Sequence, residues 1–176
     1  MALLAAAAIG YLATRTERGP GDAKGVGGGG LRAVALTGGA AHDYDPQGDE
    51  DESSEATQFA VDANPTTVWD TETYEVGFEG ANKEGVGLYV DAGSQVAARQ
   101  VDVTTSTPGF TAAVYGANDV PDDIDGWTKL SSDLTIGAEQ EIPLDTGGQS
   151  FQYYLLWITE LPDDGKAAIK ELSVLR

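Results

Sequence analysis

The chain has 176 residues, enough for one domain of ordinary size with a hydrophobic core and too few for two. It carries 10 basic against 29 acidic residues, a formal net charge of −19, which argues against nucleic acid and against direct docking on an anionic lipid surface. There is no cysteine, so disulfides, thiolate metal sites and cysteine nucleophiles are ruled out, and that absence fits either side of a membrane.

The first 14 residues, Met1 to Thr14, form an apolar run followed by Arg15, Glu17 and Arg18. The run is shorter than the roughly 20 residues that span a bilayer as a helix, and no basic stretch precedes it as in a secretory signal. Three readings stay open: the end of a membrane helix that begins upstream, an unusual signal peptide, or an apolar tail that meets no membrane. The first is the expectation taken forward, a partial membrane helix or anchor at 1–14. Arg15, Arg18 and Lys24 stand against it, on the side that the positive-inside tendency would place in the cytoplasm. Residues 15–30 end in Gly27, Gly28, Gly29 and Gly30 and read as a flexible linker.

Beyond the linker, 31–176 changes character: short apolar segments are separated by Gly, Pro, Asn and Asp clusters at fairly even spacing, the pattern of an all-β domain. Strands are expected at Arg32–Thr37, Thr66–Trp69, Gly85–Asp91, Arg99–Thr105, Thr111–Gly116, Trp127–Leu130, Gln140–Leu144, Gln152–Glu160 and Ala168–Leu175. Val86, Leu88 and Val90 alternate with Gly87 and Tyr89, giving one buried face, and Val101 with Val103 does the same. The run Phe151–Ile158 is nearly continuous in apolar and aromatic residues, as in a central strand covered on both faces. Only Ser54–Val61 reads as a short helix. The expected fold is a two-sheet antiparallel jelly-roll β-sandwich, with Trp69 and Trp157 in its core.

The densest chemistry lies between Asp43 and Thr71. Asp43, Asp45, Asp49, Glu50, Asp51 and Glu52 crowd one stretch, Ala60-Val-Asp-Ala-Asn-Pro-Thr-Thr-Val-Trp-Asp-Thr71 comes after it, and no Lys or Arg occurs between Arg32 and Lys83. Hard oxygen ligands at this density suit Ca²⁺, although the spacing is not that of an EF-hand. Read alone, Asp49–Glu52 is a solvated acidic loop.

The order Ala60, Asp62, Asn64, Thr67, Trp69 resembles the discoidin (F5/8 type C, galactose-binding-like) pattern, in which an Ala-x-Asp-Gly turn leads through Ser/Thr-x-x-Trp into the first sandwich strand. The longer run Asp43-Tyr-Asp-Pro, Gly48-Asp49, Tyr74 and Lys83-Glu-Gly-Val-Gly-Leu88, with the closing Ala168–Val174, is similar to discoidin-like domains outside the membrane in actinobacterial single-pass proteins. Some of those carry a kinase-like or flippase-like module upstream. The resemblance implies the galactose-binding-like fold over 31–176 and one structural Ca²⁺ where the Asp turn meets the last strand. Its ligands would be Asp62, Asn64, Thr67 and Glu171. Ala63 departs from the pattern, which has Gly at that position.

For a ligand surface, the loop aromatics Tyr74, Phe78, Phe110 and Trp127 are the candidates, since loops at one end of a sandwich carry recognition. Catalysis is not expected: His42 is the single histidine, no Gly-x-Ser-x-Gly occurs, and Gly25–Gly30 lacks the Lys-Ser/Thr ending of a phosphate loop. Paired carboxylates for glycoside hydrolysis remain open in so acidic a chain, but nothing marks one pair. The expected function is a membrane-tethered, extracytoplasmic binding module for a glycan or cell-wall polymer. The alternative is a sensory or scaffolding domain of a larger kinase-like or flippase-like membrane protein, acting by protein contact and binding no sugar.

Overall fold

A computed structural model describes residues 30–49 and 51–176. The expected anchor at 1–14 and all of the expected linker except Gly30 lie outside the described residues. Among those described, no helix is long and apolar enough to cross a membrane.

The architecture is the expected two-sheet antiparallel β-sandwich. The ten strands among the described residues are β1 (Ala41–Tyr44), β2 (Trp69–Asp70), β3 (Val86–Val96), β4 (Gln100–Thr105), β5 (Thr111–Ala117), β6 (Thr128–Lys129), β7 (Leu134–Thr135), β8 (Glu139–Pro143), β9 (Phe151–Glu160) and β10 (Ala168–Leu175). One sheet has the order β1-β3-β9-β5-β6 with β7 also on β5, and the other β2-β10-β4-β8. Between them, Leu88 and Val90 of β3, Leu156 and Ile158 of β9, Val101 and Val103 of β4 and Leu172 and Val174 of β10 interdigitate as one core. β9 is central and buried on both faces, as its continuous apolar run requires: Tyr154, Leu156 and Ile158 face the core while Leu155 and Trp157 belong to a second, outer cluster.

Several elements differ from the sequence expectation. Arg32–Thr37 is not a strand. It makes one bridge, Ala33 to Leu175, with hydrogen bonds between Arg32 and Arg176 and from Val34 N to Val174 O, on the edge of β10 that β2 occupies only at Ala168 and Ile169. The Thr66–Trp69 strand shrinks to Trp69–Asp70, since Thr66 and Thr67 spend their hydroxyls on the preceding turn. β1 is not among the expected strands: Ala-His-Asp-Tyr carries no apolar alternation, and only its pairing with Gly87–Val90 makes it a strand. β7 and a four-residue helix, α1 (Gly77–Gly80), are likewise additions, and the expected Ser54–Val61 helix is a 3₁₀ segment over Ser54–Ala60.

Two local features shape the surfaces of the sandwich. In β10 the pairing with β4 shifts between Ile169 and Glu171, a bulge that resets the alternation so that Ile169, Leu172 and Val174 all reach the core. In β3, Gly87 lies between Tyr44 and Trp157 of the flanking strands. A Cβ there would sit 2.6 Å from Leu156 O and 3.3 Å from the Trp157 ring, so the bare backbone is the seat of that indole.

Candidate functional site

The acidic turn after the 3₁₀ segment gathers three of the expected metal ligands. Asp62 Oδ1 accepts from Asn64 N at 2.9 Å, which folds the backbone into an Asx turn, and Ala63 takes φ 58° at its apex. The Thr67 hydroxyl lies 3.0 and 2.9 Å from the two Asp62 carboxylate oxygens and 2.7 Å from Asn64 O. One hydroxyl proton cannot serve three acceptors, so this corner is rich in oxygen and poor in protons. Glu171 joins it from β10. Burial pushes its carboxyl up and the Asp62 charge adds to the rise, while the amides of Ala63 and Asn64 work against it. Its Oε1 is buried with no hydrogen-bond partner. Among the described residues neither Asp62 nor Glu171 has a basic side chain at ion-pair distance.

This donor chemistry fits Ca²⁺. An orphaned buried carboxylate oxygen, a second carboxylate, a hydroxyl and a carbonyl are hard ligands whose mutual repulsion a divalent cation would relieve. Among the described residues no three His, Cys, Asp or Glu side chains gather as a metal group, so carbonyl and hydroxyl oxygens would have to complete the set. The departure at Ala63 is accommodated, because the residue adopts the left-handed conformation that glycine would take more cheaply.

The four loop aromatics expected to meet a ligand do not form a surface. Tyr74, Phe78, Phe110 and Trp127 are between 0% and 8% exposed. Phe110 is sealed in the main core, and Trp127 roofs the outer cluster. Tyr74 and Phe78 pack edge to face, and the Tyr74 phenol serves a buried polar network. In that network it donates to Glu52 Oε1 and accepts from Lys83 Nζ at 2.6 Å, and Lys83 also reaches Asp45 Oδ2 at 2.8 Å and Glu52 Oε1 at 3.2 Å. Burial raises Glu52, and hydrogen bonds from Tyr74, Glu72 N and Lys83 oppose the rise. Burial pulls Lys83 down, but its bonds to Asp45, Tyr74 and Glu52 more than reverse this and hold it well above the ordinary 10.5. The network binds the acidic loop to the sandwich and is closed to solvent at Glu52.

The accessible aromatic surface lies elsewhere, on the face of the six-stranded sheet turned away from the core. His42, Tyr89, Leu155, Tyr115 and Lys129 form one row across five strands, and Tyr44, Gly87, Trp157 and Ala113 the next. The β5–β6 connection folds back over this face: Tyr44 donates its phenol to Pro121 O at 2.9 Å, and the Trp127 ring packs 5.6 Å from Tyr44 and 6.0 Å from Tyr89. A cleft of about 470 Å³ remains between the returning chain and β1. Tyr44 and Tyr89 form its aromatic side, and Val120, Pro121 and Asp122 face them. Asp43 and Asp45 complete its acidic lining. His42 is exposed and stacks on Tyr89 at 5.0 Å, and Tyr89 is half-buried. Burial raises the phenols of Tyr44 and Tyr89. Asp123 and Asp122 add to the first, which the neighbouring Trp127 N–H opposes, and Tyr153, Asp43 and Asp91 add to the second.

The sequence does hold a sign of this face, in the outward positions of alternating strands: Tyr89 between Leu88 and Val90, and Tyr153, Leu155 and Trp157 along β9. What it does not show is that β1 adds His42 and Tyr44 to the same surface.

No family model matches the chain, and no curated protein matches it. Solved structures do. Chitosan-binding module 1 of a chitosanase/glucanase from Paenibacillus sp. IK-5 is similar at a TM-score of 0.57, with 18% identity over 81% of this chain and 98% of that one. Module 2 of the same enzyme, in complex with chitotriose, gives 0.56, with 17% identity over 80% and 98%. CpGH89CBM32-6, produced by Clostridium perfringens, gives 0.53, with 13% identity over 81% and 98%. At these identities the likeness is one of fold, and the fold is the galactose-binding-like β-sandwich of carbohydrate-binding modules.

Proposed function

We propose that this galactose-binding-like sandwich is a non-catalytic module that binds a glycan or cell-wall polymer in the cleft between Tyr44, Tyr89 and the β5–β6 connection. The observation that carries the reading is the meeting, in one cleft, of the half-buried Tyr89 ring with carboxylates, over the buried Tyr44. Sugars present C–H faces to aromatic rings and hydroxyls to polar rims, and such a cleft offers both. Support comes also from the neighbours, since the two Paenibacillus structures are chitosan-binding modules and one holds chitotriose. In the same reading the module is a discoidin-like domain held outside the membrane by the segment before it, and the resemblance of its residues to such domains supports this.

We also propose one structural Ca²⁺ held by Asp62, Asn64, Thr67 and Glu171. When bound, it would neutralise the two carboxylates and fasten the turn to β10, a stabilising role. The chain's own residues already bring the turn and strand together, so the ion's effect is to be sought in stability.

Thermal unfolding of the full chain separates these roles, because a ligand selective for the native state raises the midpoint. Ca²⁺ is expected to raise it relative to EDTA, and Asp62→Ala or Glu171→Ala to remove that rise. A panel of cell-wall saccharides is expected to raise it further, and Tyr89→Ala to abolish only this second effect. If no saccharide acts, the protein-contact alternative leads. Its apolar foothold would be Val76, 73% exposed at the start of α1.

A further inference from the structure

We infer that Lys83 and Asp45 condense to a side-chain amide, an internal cross-link between the end of β1 and the approach to β3. The cross-link does not depend on what the cleft binds.

Asp45 follows Tyr44, the last residue of β1, and Lys83 stands shortly before Val86, where β3 begins, so the pairing of these strands brings the two side chains together. Lys83 Nζ lies 2.8 Å from Asp45 Oδ2, with the carboxylate fully buried and the lysine side chain only 10% exposed. A nitrogen so placed is about 3.5 Å from the carboxyl carbon, the separation of a near-attack arrangement. Gly48 is the second observation. Its φ is not positive, so the backbone conformation does not call for glycine, yet a Cβ there would overlap Asp45 Oδ2 and lie 2.6 Å from Lys83 Nζ. The bare backbone thus closes over the atoms that would join.

The neighbours supply a path for the protons. Lys83 donates to the Tyr74 phenol at 2.6 Å and to Glu52 Oε1 at 3.2 Å, and Tyr74 donates to the same Glu52 oxygen. Glu52 is fully buried, and burial pushes its carboxyl up, so it takes a proton more readily than a carboxylate in water. The ammonium first gives one proton to Glu52, directly or through Tyr74. The freed amine attacks Asp45 Cγ and the C–N bond forms. A second proton from that nitrogen, with the one returned by Glu52, goes to an Asp45 oxygen, whose C–O bond breaks to release water. Ammonium and carboxylate become amide and water, Glu52 ends unchanged, and no oxidant or cofactor takes part. Two buried charges disappear with their desolvation cost, and so does the carboxylate oxygen Oδ1, which is buried without a hydrogen-bond partner. Because its bonds hold the Lys83 proton tightly, the step is slow. The freshly folded chain carries the ion pair, and the amide accumulates from it. In a chain without cysteine, such an amide is a staple that no reductant opens.

Intact mass spectrometry of the full chain, followed during incubation at physiological temperature, tests this. The expected result is a growing species lighter by one water, which on protease digestion yields a branched peptide joining Lys83 to Asp45. Lys83→Arg, which keeps the charge, should lose no water. Glu52→Gln should slow the loss by about tenfold or more, the contribution of a positioned proton carrier. A parent chain that keeps its full mass would overturn the cross-link. A loss of water that survives in Lys83→Arg overturns it as well, since it then belongs to succinimide formation at an Asp-Gly step such as Asp125–Gly126 or Asp164–Gly165. A branch on Glu52 would overturn Asp45 as the acceptor, and an unchanged rate in Glu52→Gln would overturn the proton path.

Discussion

Ala63 shows how one residue can hold a turn at a cost. Its φ of 58° lets Asp62 and Asn64 face Thr67, but an L side chain in this region is strained by about 1–2 kcal/mol relative to the right-handed regions. Glycine at this position gives up the strain and loses some stability to a freer unfolded chain. Ala63→Gly is therefore expected to raise stability by about 0.5–1 kcal/mol, read from the midpoint and slope of urea unfolding with EDTA present. A loss of stability would mean that the methyl group packs in a way that outweighs the strain. Tyr74 and Lys83 make a second case at the same scale. Burial first, then the Glu52 carboxylate, raises the Tyr74 phenol above its ordinary 10.0, and Lys83 is raised above 10.5 despite burial by its three hydrogen-bond partners. Both groups hold their protons more tightly when folded. Their contribution is thus complete below their ordinary values and is lost as the pH climbs through the folded ones. Stability measured by urea unfolding should fall as pH rises above 10.0, and Tyr74→Phe should flatten that fall while lowering stability at neutral pH by about 1–2 kcal/mol.

At the scale of elements, legibility tracks the range of the interactions. β3, β4 and β9 can be read because their burial is written in local alternation or in an unbroken apolar run, and pairing only places them. β1 cannot, since Ala-His-Asp-Tyr becomes a strand through its partner. Arg32–Thr37 errs in the other direction: its residues suit a strand, but only Arg32, Ala33 and Val34 pair with the end of β10 and Arg176. The expected grouping of Asp62, Asn64 and Thr67 with Glu171 comes from the resemblance to discoidin domains, since no local signal joins the turn to a strand so far along the chain. The cleft has no such guide, because it needs β1 on β3 and the β5–β6 connection folded back over both, two contacts without a local signal. Trp127 is misplaced for the same reason, since nothing nearby in the sequence reveals a second core on the outer face. Pairing also reveals a fault that composition hides. Glu141 of β8 lies directly across from Asp102 of β4, two like charges in register. Glu141→Lys converts this repulsion to attraction and is expected to add about 0.5–1 kcal/mol in urea unfolding. No gain would mean that solvent already screens the pair.

For the whole molecule, acidity sets the working conditions. Of the 29 acidic residues 27 lie beyond Gly30, against seven basic ones, and two of the basic side chains form the exposed or half-exposed pairs Lys129–Asp133 and Lys166–Asp70. Such pairs contribute about 0–1 kcal/mol each, so screening them costs little. The self-repulsion of so many carboxylates is spread over the whole surface and is screened once the Debye length falls to about 10 Å near 0.1 M salt. The balance predicts that NaCl stabilises this domain. Its thermal midpoint should rise as salt is raised from low to physiological levels, by about 2–4 °C for each kcal/mol of repulsion relieved in a domain of this size. CaCl₂ at matched ionic strength separates general screening from the turn at Asp62 and Glu171. If the turn holds the ion, the midpoint rises further than with NaCl, and Glu171→Ala returns it to the NaCl curve. Superimposed curves for the unmodified chain would leave only screening at work and remove the Ca²⁺ from the account of its stability.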